Sequence, residues 1–272
     1  MMRSAASLNN IGVKTLSVKT IVFLITLPVA LGIFLLVSRT ARADASARAS
    51  CVIMPADLDA VTAAEAQGLL AELAARKALL AKTITCAKAD VQTLEDDLTS
   101  VSSTSDDAKT LQSQLLGRLG DAMNYYDIEL VKVNGAGVAG TQAVAKEVLA
   151  WRASHYDPLA GQVANFILWS KNQDLWSAAE SRLQGIGNLI SLLTQAAPNN
   201  DLQSDFANAQ VLVQTASDEN QAARDSLLRS LPPDQSLSII QRSLQSLSGA
   251  YQKFFDISTI AQTLLPTEKT GQ

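Results

Sequence analysis

Apolar residues recur at alternating steps of four and three along nearly all of this chain beyond residue 62, a spacing that gathers them on one face of a helix. Ala87, Val91, Leu94, Leu98 and Val101 show it most plainly, and Leu69, Leu73, Leu80 and Ile84 carry the same face upstream. Thr62-Ala63-Ala64-Glu65 has the form of a capping box, in which the Thr oxygen and Glu carboxylate satisfy free amides at a helix start, so a first helix is expected over 63–101. The polar run from Ser102 to Asp107 breaks the pattern and supplies the next cap. A second helix, about 108–133, carries Leu111, Leu115, Leu119, Ala122, Tyr126, Leu130 and Val133. Two long helices joined by a short polar turn make an antiparallel hairpin, here over 63–133.

A Gly-rich loop is expected next, from Asn134 to Gly140, with Gly135 in a left-handed cap conformation. Thr141 then caps a segment with Val144, Val148, Trp151 and His155, and at Asp157-Pro158 the helix either kinks or yields to a new one. The face continues from Leu159 through Phe166, Ala179 and Ile186 to Leu193, stopping at Ala197 to Asn200. A leaner face comes next in Phe206, Ala209, Val213, Ala216, Asn220, Ala223 and Leu227, where Asn220 occupies an otherwise apolar step and is placed to fix register. Pro232-Pro233 ends that helix, since neither residue donates a backbone hydrogen bond. The last helix, about 235–264, uses Leu237, Ile240, Leu244, Leu247, Tyr251 and Phe254. Nothing reads as a strand. The expected fold class is all-α: an elongated antiparallel bundle of about five to six helices, with 141–265 packing on the hairpin and 266–272 as a tail.

Ahead of the bundle, Ile21 to Val37 holds no charge, Lys14 and Lys19 precede it, and Ala41-Arg42-Ala43 lies just beyond it. A basic lead, an apolar core and a small-x-small site are the parts of a secretory signal peptide. The run also lies at the short limit for spanning a hydrocarbon core of roughly 30 Å, so residues 1–43 are expected to be a cleaved leader or an N-terminal membrane anchor. Charge does not separate the two, because Arg3, Lys14 and Lys19 on one side face Arg39, Arg42 and Arg48 on the other. Both readings put residues 44–272 outside the cytoplasm, in a bacterial periplasm, at the cell surface or secreted, with 44–62 as an extended linker. A lipoprotein does not fit, because Cys51 comes after Arg48-Ala49-Ser50 and sits well beyond the apolar run.

The first 43 residues hold five of the 22 Lys and Arg and none of the 26 Asp and Glu, which leaves the remainder a net charge of minus nine. Basic side chains are scattered singly among acids, which speaks against nucleic acid and against an anionic membrane surface; a membrane is expected only through the N-terminal segment. In an oxidising compartment two cysteines are expected to pair. With an unbroken first helix Cys51 barely reaches Cys86, so a Cys51–Cys86 disulfide requires a bend, at Gly68 or at Thr83-Ile84-Thr85; otherwise one thiol is buried and the other exposed or bonded between chains.

Motifs for chemistry are sparse. Gly135-Ala136-Gly137-Val138-Ala139-Gly140 matches G-x-G-x-x-G, but a helical face precedes it where a dinucleotide site needs a strand. The single histidine, His155, aligns with Val148 and Trp151 as a partly buried packing residue, with no nucleophile elbow in the chain. Two distant thiols and one histidine do not close a metal site, and the carboxylate pairs Asp96-Asp97 and Asp106-Asp107 read as a solvated face and a helix cap. No catalytic residue, cofactor or metal is expected.

The aromatic residues carry what functional signal there is. Tyr125, Tyr126, Trp151, Tyr156, Trp169, Trp176, Tyr251 and Phe255 fall in local clusters, several off the main apolar faces. They suit the wide layers of a core, or else a patch for a ligand or partner. Two classes of function result. The first is an exported, non-catalytic bundle of the bacterial envelope acting in protein–protein interaction, through a partner or self-association, or in a structural role. The alternative is a small-ligand-binding bundle that resembles extracytoplasmic sensor domains in architecture.

Overall fold

The computed structural model describes residues 54–102, 105–196 and 200–264, with the side chains of 194–196 excepted. The chain divides into two units, Met1–Asp44 and Ala45–Gln272, and every described residue belongs to the second. The expected leader at 1–43, the first part of the expected linker, Cys51 and the tail at 266–272 lie outside the described residues.

The described residues are all-helical: α1 (Pro55–Glu65), α2 (Leu69–Thr99), α3 (Asp106–Gly135), α4 (Val138–Trp151), a π turn (Arg152–Tyr156), α5 (Asp157–Ala196), α6 (Asn200–Leu228) and α7 (Pro233–Leu264). Because α4, the π turn and α5 run on as one rod, these make six rods, within the five to six expected, with α1 as one that the apolar spacing does not mark. Pro158 explains the π turn. It has no N–H to return to the carbonyl four residues back, and the chain accommodates this with a wider turn in which the Asp157 N–H reaches the Arg152 carbonyl.

The first helix is not where the capping box predicts. Residues 55–62, expected as extended linker, belong to α1, and Thr62 lies inside it, its hydroxyl donating to the Leu58 carbonyl at 3.3 Å. The helix starts instead at Pro55, whose fixed φ and missing N–H suit a first-turn position, while Asp57 accepts the Met54 N–H at 2.7 Å. Gly68, at φ 111° and ψ 171°, then reverses the chain into α2 in a conformation closed to most side chains. Ser105 caps α3 as expected, accepting from the Ala108 N–H at 3.3 Å. Gln112 on α3 donates to the Leu98 and Val101 carbonyls at 2.7 and 3.0 Å, closing the end of α2.

The Gly-rich loop is shorter than expected. Asn134 and Gly135 finish α3, Gly137 caps α4, and Thr141 is a buried residue within α4 donating to Val138, not its cap. Gly135 has no left-handed φ; among the described glycines only Gly68 does. At the end of α6, Ser230 (φ 52°) takes the position that glycine usually fills. The Ser230 and Leu231 N–H groups bond the Leu227 and Ser226 carbonyls, a Schellman closure, before Pro232-Pro233 starts α7.

Two apolar cores lie along α5. The first joins α2, α3, α4 and the start of α5 to Ala223, Leu227 and Ile240 from α6 and α7. The second is a three-helix packing of the later part of α5 with α6 and α7. Gly161 marks a close approach of α5 to the start of α7: a Cβ there would stand 2.9 Å from Pro233, and Asn165, one turn on, donates to the Pro233 carbonyl at 2.7 Å.

Candidate binding cleft

Helix α1 buries only Ala64 and packs chiefly on α2. Because α1 is too lean to fill the angle between α2 and α4, a cleft of about 570 Å³ remains there. Leu58 and Val61 form its α1 wall, Leu79, Leu80 and Ala87 its α2 wall, and Ala145, Val148 and Leu149 its α4 wall. The polar groups are few: Thr62, Thr83, Thr141 and Gln142, with Arg76 and Arg152. Both arginines already engage acids. Arg76 bonds Glu72 at 2.7 Å and Glu65 at 2.8 Å, and Arg152 reaches Asp157 at 3.3 Å and Asp90 at 3.5 Å. The cleft therefore offers aliphatic walls, neutral hydrogen-bonding groups and two charge-balanced ends.

The aromatic residues do not line this cleft. Four of the eight meet beside it, around the π turn. Tyr125 stacks on Trp151 at 3.8 Å between ring centres, and Tyr126 meets Trp151 and Tyr156 edge-on at 5.5 and 6.1 Å. Arg152 lies over the Tyr156 ring at 5.1 Å, a cation–π contact. Tyr126 and Tyr156 are buried, whereas Tyr125 and Trp151 are half-buried. Burial, then the neighbouring Glu129 and Glu147 carboxylates, push the Tyr125 phenol up to about 12; burial and Asp90 push Tyr156 to about 12 as well. Glu129 itself is almost fully buried and bonded to Lys132 at 2.6 Å. Hydrogen bonds from Lys132 to Glu129 and Glu147 raise the lysine above its usual range.

The other four lie elsewhere. Trp169 is buried in the first core, tilted against Phe166 at 5.6 Å, and Trp176 and Tyr251 flank the second core. Phe255 is 63% exposed. The eight do not form one patch.

His155 is exposed, contrary to the packing role expected of it, and its ring lies parallel to Trp151 at 5.5 Å. Its Nδ1 stands 2.8 Å from the Ser154 oxygen, but Ser154 donates its own proton to the Ala150 carbonyl at 2.8 Å. The histidine N–H must then donate to the serine, the reverse of what would activate a nucleophile.

At the junction of the two cores lies a buried polar layer. The Asn172 amide donates to Asn220 at 3.1 Å and to Ser243 at 2.8 Å, Ser243 donates to the Ala216 carbonyl at 2.8 Å, and the Trp169 indole donates to the Asn220 carbonyl at 3.1 Å. The Asn220 amide turns to Gln173. Asn220 was legible as a register device from its place on an apolar face; Ser243 was not, although it occupies the buried step between Ile240 and Leu247, because Leu244 beside it completes the four-three spacing in the sequence, and neither was Asn172. The cleft was equally hidden, since its residues satisfy the helical period and only the leanness of α1 leaves space among them.

Among the described residues no helix is long and apolar enough to cross a membrane, and no cluster of His, Cys, Asp or Glu is placed to hold a metal ion. No family model, curated protein or solved structure matches this chain.

Proposed function

We propose that this chain is an exported, non-catalytic binding protein that takes a small, mainly aliphatic ligand with an uncharged polar end in the cleft between α1, α2 and α4. The cleft itself carries the reading: its volume of about 570 Å³ falls in the range of small-molecule sites, roughly 300–1,000 Å³. Its threonines and Gln142 suit a hydroxyl or amide, and the paired states of Arg76 and Arg152 disfavour a further carboxylate. Export is supported by the apolar run at 21–37, the Ala41-Arg42-Ala43 site and the acidic character of residues 44–272. Titration with N-phenylnaphthylamine, a neutral apolar dye, tests the site. Saturable fluorescence enhancement with one dye per chain, lost in Ala145→Trp, is expected because an indole at Ala145 fills the space between α1 and α4. Equal binding by that variant, or none by the parent chain, refutes the ligand reading.

A second reading, binding of a protein partner or of another copy, is favoured by a different observation. Leu69 and Leu70 at the start of α2 are 67% and 83% exposed, and Ile128 and Val131 near the end of α3 are 58% and 71% exposed. The bond from Lys77 to the Asn134 carbonyl sets the end of α3 beside α2 about two turns on from those leucines. Light scattering distinguishes the cases: a dimer that Leu70→Asp with Val131→Asp dissolves into monomers supports self-association, and a monomeric parent chain removes it.

A further inference from the structure

The hydroxyl groups that line the cleft have their protons committed elsewhere. Thr62 donates to the Leu58 carbonyl at 3.3 Å, Thr83 to the Leu79 carbonyl at 2.9 Å and Thr141 to the Val138 carbonyl at 2.8 Å. A carbonyl oxygen accepts and never donates, so each contact holds the hydroxyl proton on the carbonyl side and leaves the threonine oxygen to the cleft as an acceptor. Helical backbone favours this, because a threonine there settles in a rotamer whose oxygen meets the carbonyl three or four residues back. The strong donors at the two ends are occupied as well. Arg76 turns Nε to Glu72 and Nη2 to Glu65, and Arg152 turns Nε to Asp157 and Nη2 to Asp90. Gln142 is exposed, and an amide that can present either its oxygen or its nitrogen does not select. Thr141 is buried and Thr83 half-buried, whereas Thr62 is exposed, so the oxygens on the α2 and α4 walls are the ones that water serves least. A cleft lined in this way holds a ligand that brings its own proton better than one that brings only a lone pair.

We propose that the polar end of the ligand is a hydroxyl group received by the Thr83 and Thr141 oxygens, and that these two residues select an alcohol over an ether or ketone of the same size. This choice of head group rests on the ligand reading above and narrows it. An ether or carbonyl oxygen set against the threonines leaves acceptor facing acceptor with no proton between them, and it loses the hydrogen bonds it made to water. A carboxylate meets the same oxygens lone pair to lone pair and is charged besides. An alkylammonium group brings protons, but it would exchange water for neutral oxygens, while Glu65, Asp90 and Asp157, the acids nearest the arginines at the two ends, are about half exposed and screened by solvent.

The test is displacement of cleft-bound N-phenylnaphthylamine from the purified full chain by octanol, heptyl methyl ether and hexyl methyl ketone, which have the same number of carbon and oxygen atoms, and by octylammonium. Octanol is expected to displace the dye at a concentration at least about fivefold lower than any of the others. That preference is expected to persist in Thr83→Ser with Thr141→Ser, which keep the oxygens, and to vanish in Thr83→Val with Thr141→Val, which keep the shape. Each single valine variant is expected to lose part of it, which preserves the comparison if the pair does not fold. Equal displacement by alcohol and ether in the parent chain, tighter binding of octylammonium, or a preference untouched by valine overturns the inference and leaves the cleft a ligand site. A parent chain that binds no dye removes the ligand reading itself, and this inference with it.

Discussion

Along α5 the first core buries four rings, Tyr126, Tyr156, Phe166 and Trp169, among its aliphatic side chains, whereas the second buries only Phe254 and is richer in alanine, with Ala179, Ala209, Ala216 and Ala250 beside larger aliphatic residues. Alanine at alternate core steps, as at Ala209 and Ala216 on either side of Val213, lets α6 approach its neighbours closely. Rings instead bridge helices that stand farther apart, and where the outermost rod, α1, contributes a single buried alanine, the separation survives as an open cleft. The polar layer of Asn172, Asn220 and Ser243 falls where one manner of packing gives way to the other.

With that contrast in packing, the two cores are expected to fail in opposite ways. Tyr126→Ala removes a fully buried ring and is expected to cost about 3–5 kcal/mol. Ala216→Leu adds volume where none is free and is expected to cost about 1–3 kcal/mol by overpacking. Urea unfolding monitored by circular dichroism measures both. A tolerated leucine at 216 would mean that the second core is as loosely filled as the first.

The junction tests the contrast next. Asn172→Ala deprives Asn220 and Ser243 of their donor and is expected to cost about 1–3 kcal/mol. Replacing Asn172 and Asn220 by Leu and Ser243 by Ala together is expected to recover stability while losing a single register, seen as broadened amide resonances. Sharp, unchanged spectra in that triple variant would show that shape alone aligns the helices.

Most of this architecture was legible in the sequence because one rule, alternating steps of four and three, governs nearly every buried position from Ile84 to Ala261. The rule is silent where burial is not the determinant. Helix α1 buries one residue and has no stripe, so Pro55 and Asp57, not a periodicity, mark its start, and Thr62-Ala63-Ala64-Glu65 imitated a cap while lying inside a helix. The short break at Ala136-Gly137 likewise took fewer residues than six positions of glycine and alanine suggest. Of the eight aromatic residues only Tyr125, Tyr126, Trp151 and Tyr156 meet, and which of them join depends on helix packing that sequence spacing does not encode.

Alkaline pH offers a gentler way to separate the cores. Tyr125 and Tyr156 have folded-state values raised to about 12, above the ordinary 10 of an unfolded tyrosine. Stability held by their protonated forms is complete below about pH 10 and is lost as pH rises toward 12. Phenolate absorbance is expected to lag behind that of a free tyrosine and then to rise together with loss of the first core's near-ultraviolet signal. Early, non-cooperative ionisation of all the tyrosines would show that the rings around the π turn are open to water.

The smallest effect concerns α1, whose attachment is mainly ionic. Hydrogen bonds from Lys82 and from the Met54 N–H hold the Asp57 carboxyl below its ordinary 3.8. A carboxyl lowered in the folded state contributes stability that is fully present above about pH 4 and disappears as pH falls through the lowered value. The pair is partly exposed, so salt weakens it and its effect is local. Hydrogen exchange, corrected for intrinsic rates, is therefore expected to show α1 amides losing protection a few-fold at acid pH while those of α6 and α7 stay protected. Asp57→Asn is expected to reproduce the loss at neutral pH. Protection of α1 that ignores both pH and the Asn variant would mean that apolar contact, not charge, holds this wall, and that the cleft is narrower in solution than its lining implies.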